Sequence, residues 1–278
     1  MKTAICNETF EHWRWDDTLD AITAAGYDGV EIAPFTFASE PAEITADDRA
    51  SIATAARRRG LQIAGLHWLL VSPPGLSLTS DDTEVRVRTV RHLAALVELC
   101  ADLGGAIMVL GSPAQRRIPA GLNTAGATLR VVEALASVAP EAEKRGITIC
   151  LEPLPAPEAD LILTLHEAVD AIAQVASPNL RTLIDVKSAS AESTDVAAAV
   201  RTWAPWVAHF HANDTNMRGP GTGDTDYVPI MAALHEIGYA GWVSVEVFNY
   251  EPDPVTIARE SISYVRRCNE AAMRSQRA

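Results

Sequence analysis

Four polar residues close four short apolar runs in the second half of the chain: Glu152 in ICLEP, Asp185 in LIDV, His211 in HFH and Glu246 in VSVEVF. Successive members stand 33, 26 and 35 residues apart, each about one strand plus one helix. If the runs are neighbouring strands of one sheet, this spacing gathers three carboxylates and one imidazole at a common edge. Left alone, carboxylates so gathered repel one another and resist ionising. A divalent cation removes the conflict. Oxygen donors joined by a single nitrogen suit a hard to borderline ion such as Mn²⁺, Mg²⁺ or Co²⁺. Such an ion polarises a carbonyl oxygen beside carboxylates that are able to move a proton.

Other polar residues at run ends have weaker claims. Glu31 in GVEIAP reads either as a base behind the ligands or as a salt-bridge partner, and His67 in GLHW either as a substrate contact or as a core histidine. His209 shares a face with His211 by the two-residue strand period, one layer deeper, and reads as barrel filling or as support for the ligands. His12, His92, His166 and His235 fall on helix or loop positions and carry no functional expectation. After His211 the chain runs on as ANDTNMRGPGTGDTDY, a loop expected to turn Asn213, Asp214 and Arg218 toward a ligand, with Gly219, Gly221 and Gly223 supplying its turns.

The elements that must hold these residues follow one pattern. An Ala/Leu/Arg-rich amphipathic segment ends in glycine and a short β-branched run follows, as in AAGYDGVEIAP, RRRGLQIAGLH, DLGGAIMVLGS, EKRGITICLEP and EIGYAGWVSVEV. Glycine suits the left-handed position that closes a helix because it has no Cβ to clash. With KTAIC, SPNLRTLIDV and APWVAHFH, eight strands are expected, beginning near residues 2, 28, 61, 106, 147, 180, 207 and 242, with helices such as 82–103 and 124–145 between them. Strands apolar on both faces and alternating with helices predict an α/β fold, a single (β/α)₈ TIM barrel in one domain over residues 1–278. A doubly wound sheet would want a glycine-rich turn after the first strand, and CNETFEHW offers none.

Bulk composition narrows the partners. Hydrophobic residues make up 48% and charged residues 21%, enough apolar side chain for a large core. A formal net charge of −13 sets a repulsive field against DNA, RNA and anionic membrane, so neither nucleic acid nor membrane is an expected partner. MKTAICNETFEHWRW meets polar residues too early for a secretory signal, and four scattered cysteines without a Cys-x-x-Cys pair suit buried thiols in a reducing compartment. The expected location is cytoplasmic.

LEPLPAPEAD, LIDVKSAS, HFHANDTNMRGPGTGDTDY and GWVSVEVF resemble, in order, the metal-site segments of the xylose-isomerase-like sugar isomerase and epimerase barrels, closest in pattern to the D-tagatose and D-psicose 3-epimerases, and strand spacing is similar over essentially the whole chain. The resemblance implies that Glu152, Asp185, His211 and Glu246 hold the metal, that Glu158 and Arg218 bind substrate hydroxyls, and that Trp15 and Phe248 wall a sugar pocket which His67 also touches. It implies an isomerase or epimerase acting on a ketose or keto-sugar through a metal-bound cis-enediolate, with Glu152 and Glu246 as the acid/base pair. The alternative in the same superfamily is a metal-dependent lyase that cleaves 3-keto-glycosides by elimination from that enediolate. A small sugar is then the partner, in a homodimer or homotetramer, or in a hetero-oligomer for the lyase. Where the 3-epimerases carry histidine three residues after the metal aspartate, this chain has Ser188, which predicts a wider pocket and weak activity on free fructose and tagatose.

Overall fold

A computed structural model describes residues 1–156, 158–193 and 195–275. Its elements follow in the order β1 (Lys2–Cys6), α1 (Trp15–Ala25), β2 (Gly29–Ile32), α2 (Ala46–Arg58), β3 (Gln62–Leu66), α3 (Thr83–Leu103), β4 (Ile107–Leu110), α4 (Thr124–Arg145), β5 (Thr148–Leu151), α5 (Leu165–Val175), β6 (Leu180–Asp185), α6 (Val186–Glu192), α7 (Val196–Thr202), β7 (Val207–Ala212), α8 (Tyr227–Glu236), β8 (Trp242–Val245) and α9 (Pro254–Ser275). The strands run in sequence order and close into a parallel (β/α)₈ barrel. Each begins within one residue of its expected start.

Local chemistry sets the ends of these elements. At Gly26 the chain takes φ 94° and its N–H turns back to the carbonyls of Ile22 and Thr23, which stops α1; Gly146 does the same for α4. Asp82 starts α3 by accepting a hydrogen bond from the Glu84 N–H. One expectation of a single helix per repeat fails after β6. Two short helices follow it, because the chain leaves helical geometry at Ser193 and Asp195 caps a new start by accepting from the Ala198 N–H.

Packing groups the chain into two compact units. The first comprises Met1–Glu31, Ala55–Ile63 and the chain from Leu183 onward. In it β1 pairs with β2 (Ala4 opposite Gly29) and with β8 (Thr3 opposite Val243), and β7 pairs with β8 (Phe210 opposite Val243). Phe10, Leu19, Ile22, Phe210 and Tyr227 are its large buried side chains. The second comprises Ile32–Thr54 and Ala64–Thr182. There β3 pairs with β4 so closely that a Cβ on Gly65 would stand 2.0 Å from the Ile107 carbonyl oxygen. Its helices α3 and α4 bury Leu93, Leu96, Val97, Val131, Leu135 and Val138. Cys6, Cys100, Cys150 and Cys268 are all buried. Among the described residues no helix is long and apolar enough to cross a membrane.

Candidate metal centre

The four residues expected at strand ends are there. Asp185 is the last residue of β6, His211 the penultimate residue of β7, and Glu152 and Glu246 directly follow β5 and β8. All four are buried, and one donor atom from each lies within 4.8 Å of the others. In a parallel barrel this is the strand end at which side chains from different strands converge on a ligand.

His211 has the better-defined surroundings. Its Nε2 faces Glu31 Oε1 at 3.2 Å and its Nδ1 lies 2.9 Å from Glu246 Oε2. Glu31, on β2, also meets His209 Nε2 at 2.9 Å through its other oxygen, and all three side chains are inaccessible to solvent. Burial works against a charge on Glu31, but the His209 and His211 imidazoles outweigh it and hold this carboxyl well below the usual range. Burial likewise works against a charge on His211, and the Glu246 and Glu31 carboxylates outweigh it and lift the imidazole well above its ordinary value. Against an ionised Glu31, Nε2 is the nitrogen that carries the proton. That leaves Nδ1, turned toward Glu246 Oε2, as the nitrogen a cation could take once the ring is neutral, with the Glu31 carboxylate orienting the ring. Glu31 and His209 are thus the support beneath His211.

Asp185 is fixed from two sides. Its Oδ1 accepts the Ser188 N–H at 2.7 Å, capping α6, and its Oδ2 accepts from the Asn213 side-chain amide. Asn213 is itself locked, with its Oδ1 taking the Lys187 N–H and its backbone carbonyl taking the Tyr227 hydroxyl at 2.6 Å. Burial, then the charge of Glu246, pushes Asp185 up from the usual carboxylate range. The expectation that Asn213 and Asp214 reach a ligand therefore meets a different geometry. Asn213 orients Asp185, and Asp214 staples its own loop by accepting from the Thr215 and Gly223 N–H groups and the Thr225 hydroxyl. Gly223 fits against that carboxylate because a Cβ there would come within 2.5 Å of Asp214 Oδ1.

Around Glu152 the decisive neighbours are Gly111 and Arg116. A Cβ on Gly111 would stand 2.2 Å from Glu152 Oε2, so the carboxylate occupies space that only glycine leaves open. Arg116 is 1% exposed and its Nη1 donates to the Glu152 backbone carbonyl at 2.6 Å. Burial lowers this guanidinium to about 10, against the opposing pull of the Glu152 and Glu158 charges. Nothing in PAQRR marked it for burial.

The remaining expected residues are placed as follows. His67 is buried just past β3, and a ring nitrogen falls within 4.8 Å of donor atoms of Glu8 and Glu246. Phe248 is half-buried, with Lys187 Nζ 4.8 Å from its ring centroid. Trp15 opens α1 and is half-buried, and Glu158 is half-buried on the loop after β5. Arg218 is paired with Glu251 at 2.8 Å, its side chain 37% exposed. Ser188 is buried in the first turn of α6. Three buried carboxylates, one oriented imidazole and a cradle shaped around Glu152 fit a divalent cation, whose charge offsets the repulsion among them.

The profile of the family described as "Xylose isomerase-like TIM barrel" matches residues 19–268. The chain is 30% identical over 239 residues to the L-ribulose 3-epimerase of Mesorhizobium japonicum, covering 84% of this chain and 75% of that protein. It is 37% identical over 119 residues to the D-psicose 3-epimerase of Ruminiclostridium cellulolyticum, a match spanning 43% of this chain and 41% of that protein. In fold it is similar to a solved L-ribulose 3-epimerase, with a TM-score of 0.87 at 24% identity over 99% of this chain and 97% of the other. By the length of the profile match and the identity to a relative covered over three quarters of its length, the chain belongs to the xylose isomerase-like TIM-barrel family.

Proposed function

We propose that the protein is a divalent-metal-dependent epimerase of a ketose or keto-sugar, with Glu152 and Glu246 as the proton-transfer pair. The relatives named above are epimerases, and so in kind is this chain; the metal, the residues and the substrate class are our reading. The observation that carries it is the buried cluster of Glu152, Asp185, His211 and Glu246.

These four side chains would hold the ion, Mn²⁺ in the first instance. When bound, it would supply Lewis-acid stabilisation of the negative charge that develops on the sugar's carbonyl oxygen. The chain's own groups do the rest. One of Glu152 and Glu246 takes the proton from the carbon next to the carbonyl, and the electron pair of the broken C–H bond enters a cis-enediolate. The other returns a proton to the opposite face, restoring the carbonyl with the configuration inverted. Glu31 and Asn213 keep His211 and Asp185 in register while this happens. Glu158, Arg218 and His67 are assigned to sugar hydroxyls, and Trp15 and Phe248 to the apolar wall.

The test is turnover in D₂O. Protein supplemented with Mn²⁺ is incubated with L-ribulose, D-psicose and D-fructose, and separately with a 3-keto-glycoside. A new ketose carrying one solvent deuterium is expected, abolished in Glu152→Gln and in Glu246→Gln. Release of an aglycone with no ketose epimerised would replace this reading with the lyase.

A further inference from the structure

Arg116 is the largest fully buried side chain among the described residues, and most of its hydrogen-bonding capacity is unspent. The segment GSPAQR turns it inward. Ser112 takes φ 46°, a left-handed conformation that costs a non-glycine residue free energy, and opens a single 3-10 turn, Pro113–Arg116, after β4. The chain after β3 pins that turn. The Leu70 N–H donates to Ser112 Oγ at 3.3 Å, and the Leu78 N–H donates to the Gln115 carbonyl at 2.8 Å. While Nη1 of Arg116 donates to the Glu152 backbone carbonyl, Nε and Nη2 meet no acceptor among the described residues. Those two nitrogens form the side-on edge of the guanidinium, whose parallel N–H bonds match the paired oxygens of a carboxylate. At about 10 the group stays charged at neutral pH, and a buried charge is costly unless something pairs with it. In the other unit Lys187 is a second buried cation, 8% exposed, and its charge opposes the upward push of burial on Asp185.

We propose that Arg116 is a specificity-determining residue whose Nε and Nη2 edge binds a carboxylate of the substrate side-on, so that the substrate is a keto-sugar acid, a ketose whose terminal carbon is oxidised. The inference deepens the epimerase reading above and rests on it. Charge decides between a carboxylate and a neutral hydroxyl. Glu152 and Glu158 are the carboxylates whose charges act on Arg116, and with the proposed ion bound Glu152 is drawn to that ion. The half-buried Glu158 is then the remaining anion beside the guanidinium. Two buried cations next to the cluster, Arg116 at Glu152 and Lys187 two residues past Asp185, suit a substrate that brings a negative charge of its own. Shape decides between carboxylate and phosphate. Two parallel N–H groups satisfy a planar pair of oxygens, whereas a phosphate ester presents three oxygens and up to two charges to the same two donors. The edge is closed to solvent in the free protein, so the carboxylate displaces what covers it and binds in a dry site, where a charge-assisted pair is strongest. An acid requirement also accords with the weak turnover of free fructose and tagatose expected from Ser188.

The experiment compares D-fructuronate and D-tagaturonate with D-fructose, D-tagatose and their 6-phosphates as substrates of Mn²⁺-loaded wild type, Arg116→Lys and Arg116→Met, with metal content measured for each protein. Wild type is expected to turn over at least one of the two acids with a kcat/KM at least about tenfold above that of the parent ketose, the margin of one charge-assisted hydrogen bond. Arg116→Met, which loses the charge and both donors, is expected to lose about 100-fold more on that acid than on the parent ketose, mainly through KM. Arg116→Lys keeps the charge without the fork and falls between the two. A purely structural arginine would lower acids and free ketoses together, and that result overturns the inference. So does a wild type that turns over the free ketoses or the phosphates as well as the acids, an outcome that needs no variant to fold and leaves the epimerase reading standing. A wild type that epimerises none of these compounds and exchanges no solvent deuterium into them overturns the epimerase reading and this inference with it.

Discussion

Glu31 would matter to the proposed centre through the two imidazoles it holds rather than as a member of the four-residue cluster. It holds two imidazoles through two oxygens, at 2.9 and 3.2 Å, with no solvent contact. Replacing it by glutamine keeps the shape but removes the charge, and one of the two imidazoles then faces an amide N–H. Glu31→Gln should therefore lower Mn²⁺ affinity by about 10- to 100-fold, the usual cost of losing a carboxylate behind a metal-binding histidine, while secondary structure is retained. Titration of the metal-free protein with Mn²⁺ reads this directly, and unchanged affinity would make the Glu31 pairs mere core filling. The convergence of Glu152, Asp185, His211 and Glu246 was legible in the sequence, since each is a polar residue ending an apolar run. The role of Glu31 was not, because its two partners lie 178 and 180 residues further along the chain.

At the scale of elements, the sequence specified strands better than loops. Glycines at helix ends and β-branched runs are local signals, and they located strand starts within a residue. Loop side chains answer to distant partners. Hence Asp214 turned inward to tie Gly223 and Thr225, and Arg218 met Glu251. The neighbours β4 and β5 offer a test of how tightly one element shapes another's site. Gly111 directly follows β4, and its missing side chain is what leaves room for the Glu152 carboxylate. In Gly111→Ala the methyl would overlap a flexible carboxylate rather than backbone, so the carboxylate swings aside at small cost to the fold. Thermal stability should change by less than about 1 kcal/mol, whereas Mn²⁺ affinity falls at least about tenfold as Glu152 is displaced. Equal affinities for the two proteins would remove Glu152 from the ligand set.

For the whole molecule, the placement of the four thiols has a consequence for how the barrel comes apart. Cys6 and Cys268 belong to one compact unit, Cys100 and Cys150 to the other, and all four are buried, Cys268 the least deeply at 7% exposed. Each thiol is thus a clock that runs chiefly during an opening event, and there are two clocks in each unit. A chain that folds as a single domain, as its sequence leads one to expect, should let all four be alkylated at one common rate in mild denaturant, with one common denaturant dependence. Peptide mapping after a timed pulse of iodoacetamide reads the four rates in one sample. Separation into a fast pair and a slow pair, divided as the units are, would instead reveal a barrel that opens by halves, and would identify the half that leads.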